Sequence, residues 1–361
     1  MVPPSPYVDL LRATSRVKSL DPVIDTTLQL LGTSLSAHDY GITLRAFQDW
    51  VQTLRPTQRV EAYSRLIALS SKDADSGLFQ MLHILIKTLS SEDLALSTEL
   101  NACLVKLCDL LRTANTIRMG LISSDMVGTF GSCIACINTI LRTKQFLVSQ
   151  HGIDTLLGAL AVMTSPKCHP FPDSNEYGSF IYLQLCQTTT NIILLHRRRT
   201  GGRFHLLVSL LQNLLTCLFT PHSTSTSVLP FWLHSHRSPM DATHASAYAR
   251  ILTTLSSPTV SSTSSRRHNT DLSLVDETKK ARVYAGQYVP YILMHYCNLQ
   301  LQGGLSVESR DKLKTGLWSC MDIVDLECMR GMNAGMGKDE RVLWGTLYSE
   351  WKRFGESSGG R

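Results

Sequence analysis

The chain has 361 residues, 43% of them apolar and 18% charged, with a net charge of +6. That length is enough for a large core and for one to three domains. No uninterrupted apolar run reaches the roughly 18 residues that a membrane-spanning helix needs. Even the most apolar stretch, Phe204 to Phe219, carries His205, Ser209, Gln212 and Asn213.

Helical spacing dominates in chain order. Met1-Val-Pro-Pro-Ser-Pro has no basic-then-apolar leader pattern, and residues 1–20 are expected to be a flexible N-terminus. Asp21-Pro22 pairs a cap with Pro at the first helical position, opening a helix to about Leu31. Ile42–Leu54 and Pro56–Leu69 form an expected antiparallel pair, broken at Arg55-Pro56. Leu78–Leu89 follows, then Ser91–Leu111, whose buried face is marked by Leu96, Leu100, Cys103, Leu104, Leu107 and Leu111. Asp125 is expected to cap a helix to about Arg142, and Ile153–Met163 is a short one. These helices make an N-terminal region, 21–165.

A Pro/Asp/Ser-rich loop at 165–175 separates that region from a C-terminal one at 175–355. There Glu176–His196 is a long helix, and Phe204–Phe219 follows the i, i+3, i+4 rule through Leu207, Leu210, Leu211, Leu214, Leu215 and Leu218. Residues 220–240 are rich in Pro, Ser, Thr and His. Residues 256–270 are mostly Ser and Thr and are expected to be a disordered insertion. A helix from Lys279 to Gln300 is expected to kink at Pro290. Residues 306–330 and 338–354 complete the set. Strand alternation is scarce. Paired helices of similar length predict an all-α fold, an irregular armadillo- or HEAT-like helical repeat scaffold.

Few residues offer chemistry. Most of the ten Cys lie in apolar helical runs and suit reduced, buried thiols. Cys133-Ile-Ala-Cys136 has CxxC spacing but lacks the second ligand pair of a zinc site, so two core thiols are expected. His234, His236 and His244 fit surface loop residues; Asp322, Asp325 and Glu327 are expected to share one helix, with Asp322 and Asp325 on a solvated face and not an acid/base pair. No metal, cofactor or catalytic residue is expected. The sharpest charged feature is His196-Arg-Arg-Arg-Thr-Gly-Gly-Arg203. Arg197, Arg198, Arg199 and Arg203 are candidates to bind RNA or an acidic partner, because the guanidinium fork matches phosphate and carboxylate. The opposing view is a solvated helix end. In the last helix Trp344, Leu347, Tyr348, Trp351 and Phe354 share one face and are expected to dock on helices near 288–300 and 313–329. Lys352, Arg353 and Gly355 are placed to end it.

Three segments together resemble the C-terminal domain of the Urb/Npa-type family of nucleolar pre-rRNA processing factors. They are His196-Arg-Arg-Arg-Thr-Gly-Gly-Arg-Phe-His-Leu-Leu running to Phe219, Tyr288-Val-Pro-Tyr-Ile-Leu-Met-His-Tyr296 running to Asp322, and Met332-Asn-Ala-Gly-Met336 followed by Leu347-Tyr-Ser-Glu-Trp-Lys-Arg-Phe-Gly355. The resemblance covers about residues 175–355. It implies a non-enzymatic helical scaffold in early large-ribosomal-subunit assembly, placed in the nucleus and nucleolus. The implied partners are other assembly factors, a DEAD-box helicase among them, and pre-rRNA, with no membrane. Family members are longer, and this chain corresponds to their last portion. The alternative from another class is a cytoplasmic armadillo-like protein–protein adaptor with no RNA role.

Overall fold

The computed structural model describes residues 20–32, 36–70, 76–90, 96–113, 121–123, 126–169, 177–221, 229–234, 240–258 and 274–355. All but the last residue of the expected N-terminus at 1–20, the Ser91 helix start, the Asp125 cap and nearly all of the 256–270 insertion lie outside them. The described chain is all-α. Its only strands are two short antiparallel pairs, β1 (Leu121–Ser123) with β2 (Met126–Val127) and β3 (Thr220–Pro221) with β4 (Gly303–Gly304). The helices fall into two compact units that divide after Gly152, ahead of the 165–175 loop.

The first unit contains α1 (Asp21–Leu31), α2 (Ala37–Thr53), α3 (Pro56–Leu69), α4 (Ser76–Thr88), α5 (Ser97–Thr113) and α6 (Gly128–Thr143). Local signals set the starts. Ser36 accepts the Asp39 amide at 3.2 Å, and Pro22 and Pro56 occupy first turns, where their missing N–H costs nothing. Helix α4 lies against α2, α3 and α6, so it is buried nearly all round, with Leu78, Phe79, Met81, Leu82, Leu85 and Ile86 inside. Its polar residues then need partners. Ser76 and Gln80 meet Ser132, and His83 Nε2 lies 2.8 Å from Thr139 Oγ1.

Helix C-termini are closed by cations from elsewhere in the unit. Arg59 donates to the carbonyls of Val51 and Leu54, at the end of α2, and of Thr88, the last residue of α4. Lys106 on α5 donates to Ile67 O at 2.8 Å, in the last turn of α3. Lys144, buried just after α6, donates to Leu89 O past the end of α4. Burial lowers the pKa of both lysines, yet each ammonium sits where the helix dipole is negative and the carbonyls lack helical partners.

The second unit contains α7 (Gln150–Met163, which begins at the division), α8 (Gly178–Leu195), α9 (Arg197–Thr200), a 3-10 turn (Gly201–Arg203), α10 (Phe204–Thr216), α11 (Phe231–His234), α12 (Ala242–Ser256), α13 (Leu274–Gly286), α14 (Val289–Gln302), α15 (Val307–Met321), α16 (Leu326–Gly335) and α17 (Lys338–Glu350). At its centre is α12, a helix that the sequence reading left unassigned. It packs on both α8 and α15. Its start is specified by Asp241, whose Oδ1 accepts the Thr243 amide at 2.8 Å. Small residues permit the close α12–α15 crossing: a Cβ built on Gly316 would lie 2.8 Å from Ala249 Cα. Tyr182 and Tyr248 are fully buried and place their hydroxyls on Leu214 O and Leu211 O of α10 at 3.2 and 2.9 Å. The Pro/Ser-rich stretch at 220–240 also contributes to the core. Trp232 is fully buried and donates to Met163 O at 2.8 Å.

Pro290 does not kink one long helix. It stands in the first turn of α14, after α13 has ended at Gly286. The kink expected from sequence is therefore a break, because the first turn is where Pro loses no hydrogen bond.

Two predictions follow from this packing. Gly316→Ala should destabilise by about 1–3 kcal/mol, because the new methyl meets backbone, whereas Gly345→Ala in α17 meets nothing within 4 Å and should stabilise by roughly 0.4–1 kcal/mol. Urea unfolding of the two variants checks the opposite signs. Burial, with Lys87 adding to it, lowers the His83 pKa from 6.5 to about 4. The neutral ring is favoured in the folded state, so its contribution is complete above pH 6.5 and is lost as pH falls from there towards 4. Stability should drop by on the order of 2–3 kcal/mol across that window, and His83→Gln should flatten the drop.

Candidate interaction surface of the second unit

The four arginines named from sequence have separate environments. Arg197 is buried and donates to the carbonyls of Thr254 (3.2 Å) and Leu255, in the last turn of α12. Burial lowers its pKa to about 10, which leaves it charged at neutral pH. It therefore closes a helix end, as Lys106 and Lys144 do in the first unit. Arg199 is half-buried, with Nη1 3.4 Å from His196 Nδ1. Arg198 is exposed. Arg203 has a side chain 52% exposed and pairs with Asp154 at 3.1 Å. The structure thus places Arg197 in the core and Arg198 and Arg203 at the surface.

The turn that carries them is fastened to α13 and α14. Tyr284 donates its hydroxyl to Gly201 O. Phe204 packs on Tyr284 (centroids 5.4 Å, 87°) and on Tyr288 (4.9 Å, 35°). These aromatic contacts set the basic turn against α13, which carries the exposed Lys279 and Lys280 one turn before Tyr284. Sequence spacing gives no sign of this, since the two segments lie about 80 residues apart.

The last helix docks on α14, and the turn that follows it, Trp351–Gly355, on α15. Trp344 and Leu347 are buried. Trp344, Tyr348 and Trp351 form a ladder with centroids 5.8 and 5.5 Å apart, and Lys352 lies over Tyr348 at 5.2 Å. Glu340 accepts from Asn298 of α14 at 2.9 Å, Lys314 of α15 pairs with Glu350 at 3.1 Å, and Trp351 Nε1 donates to Asp322 at 2.9 Å. Phe354 departs from the expected stripe: it is 60% exposed, because a π-turn over Trp351–Gly355 shifts the register of the face.

The remaining candidates have structural contacts. Cys133 and Cys136 are buried, face the carbonyls of Leu107 and Phe79 respectively, and have thiol pKa values raised by burial. Asp325 caps α16 through the Cys328 amide at 2.6 Å. His244 is buried with Nε2 2.7 Å from Ser179 Oγ and Nδ1 2.7 Å from Asp241 Oδ1. The order of contacts resembles a hydrolytic triad. The carboxylate, however, is the α12 cap and the serine lies in the first turn of α8, so the chain Ser179–His244–Asp241 latches α8 to α12. Among the described residues no cluster of His, Cys, Asp and Glu could hold a metal ion, and no helix is long and apolar enough to cross a membrane.

Arg197→Ala should cost on the order of 2–3 kcal/mol, since it strands two carbonyls. Arg198→Ala should stay within about 0.5 kcal/mol. In the last helix Trp344→Ala should cost about 3–5 kcal/mol, Trp351→Ala markedly less, and Phe354→Ala close to nothing. Chemical denaturation of the five variants checks the ranking.

No curated protein and no solved structure matches the chain. The Urb2/Npa2 family model matches residues 131–360, more than half of the chain. The matched region holds the whole second unit, with its basic turn, its aromatic fastening and its docked terminal helix, and the chain belongs to the Urb2/Npa2 family of ribosome biogenesis and rRNA-processing factors.

Proposed function

We propose that the protein is a non-enzymatic scaffold in nucleolar pre-rRNA processing and early assembly of the large ribosomal subunit. The observation that carries this reading is the family match over residues 131–360. The all-α architecture supports it, since packed helices present broad surfaces to several partners at once. The polar constellations support it too: His244, Cys133, Cys136, Asp322 and Asp325 each bond to the fold itself. In this reading the partners are other large-subunit assembly factors, with a DEAD-box helicase among them, and pre-rRNA. Arg198 and Arg203 are the members of the basic turn that meet a phosphate or an acidic partner, while Arg197 holds the turn in place.

A tagged full-length protein should concentrate in the nucleolus and co-sediment with precursors of the large subunit. Its depletion should lower the ratio of large to small subunits on a sucrose gradient. A diffuse cytoplasmic distribution with an unchanged subunit ratio would contradict the proposal and favour a cytoplasmic adaptor.

A further inference from the structure

A cleft of about 370 Å³ opens on α13, lined by Lys279, Lys280, Val283, Tyr284 and Gln287. Its volume lies in the range of roughly 300–1,000 Å³ that small ligands fill. The walls combine three properties that rarely occur together on a surface that only faces water. Lys279 and Lys280 are exposed cations. Val283 is 57% exposed, and Tyr284 adds an aromatic wall, so the cleft is apolar where a solvated helix face would be polar. Gln287 contributes an amide that both donates and accepts.

The surroundings extend the pattern. Tyr284 is the residue that bonds to Gly201, so the cleft lies beside the 197–203 turn. A Cβ built on Gly201 or Gly202 would meet nothing within 4 Å, and the glycine backbone of that turn is open to close approach. Arg198 and the partly exposed Arg203 flank it.

We infer that this cleft and the adjoining basic turn bind single-stranded RNA, with one unstacked base in the Lys279–Gln287 cleft and the flanking phosphates on Lys279, Lys280 and Arg198. This inference deepens the proposed ribosome-assembly role and rests on it for the choice of RNA. Cations alone would serve any polyanion. The apolar and aromatic wall is what favours a nucleobase, because every base has a π-face and aromatic side chains bind it without strong sequence preference. An unstacked base can lay a face on the Val283–Tyr284 wall, which a duplex does not offer. An acidic peptide would use the lysines and leave the exposed Val283 without a role.

The test uses the full chain and fluorescently labelled 12-nucleotide single-stranded RNAs, oligo(U) and oligo(A), with a 12-base-pair RNA duplex and a poly-glutamate peptide for comparison. The variants are Lys279→Ala with Lys280→Ala, and Gln287→Ala, all at exposed positions, so thermal melting should not move. The wild type should bind the single strands at least tenfold more tightly than the duplex. The double lysine variant should lose at least tenfold in affinity, and its salt slope should fall by about 1.4, or roughly 0.7 per lost phosphate contact. Gln287→Ala should change the ratio of oligo(U) to oligo(A) affinity. Unchanged single-strand affinity in the lysine variant, equal binding of duplex, or tighter binding of poly-glutamate than of RNA would each overturn the cleft assignment. The lysine variant is also tagged and fractionated in cells. Retention in large-subunit precursors with unchanged RNA affinity would remove the cleft while leaving the assembly role intact, whereas absence of the wild type from those particles would remove the role itself.

Discussion

The interaction on which the rest depends is the cation that closes a helix end. Every α-helix leaves its last four carbonyls without intrahelical partners, and an all-α protein multiplies that problem. Where the ends are packed, water cannot supply the donors, and a stranded carbonyl costs on the order of 1–3 kcal/mol. This chain answers with long basic side chains from other helices. Arg59 gathers the ends of α2 and α4, Lys106 meets the end of α3, Lys144 lies just beyond α4, and Arg197 closes α12. Each contact satisfies carbonyls and also ties two helices at a fixed offset. A ligand-like charge pattern in the sequence is thereby converted into internal structure.

That conversion bears on function. Of the four arginines in the 197–203 turn, one holds the end of α12 and another pairs with Asp154, so the turn is tied to the fold at two points. The aromatic group Phe204–Tyr284–Tyr288 then brings the turn against α13. The two segments form one basic and aromatic surface within the second unit. A preorganised surface of this kind loses less entropy on binding than a flexible basic tail would.

Much of the architecture was legible in the sequence because apolar residues recur at helical spacing, as in α10 and α5, and because Pro22 and Pro56 mark helix starts. The docking face of the last helix was legible for the same reason up to Trp351, where the π-turn changes the period and leaves Phe354 outside. Helix α12 was not legible. Its packing surface depends on small residues such as Ala245 and Ala249, and its importance lies in how closely Gly316 approaches, which periodicity does not register. Trp232 was hidden by its Ser- and Pro-rich neighbours. Arg197 looked like its neighbours Arg198 and Arg199, since the carbonyls that it meets lie 57 and 58 residues away. The cleft on α13 was invisible for a related reason: its neighbour Gly201 lies 83 residues from Tyr284.

The central claim is that cations donated by other helices hold these helix ends. Hydrogen exchange of Lys144→Met against the wild type tests it most directly, since Met keeps the apolar stem and removes only the donor. If the tie contributes about 1.5–3 kcal/mol, amides in the last turn of α4, around residues 85–90, should exchange roughly 10- to 100-fold faster, with α1 unaffected. Exchange at the end of α4 that is indistinguishable from the wild type would contradict the account.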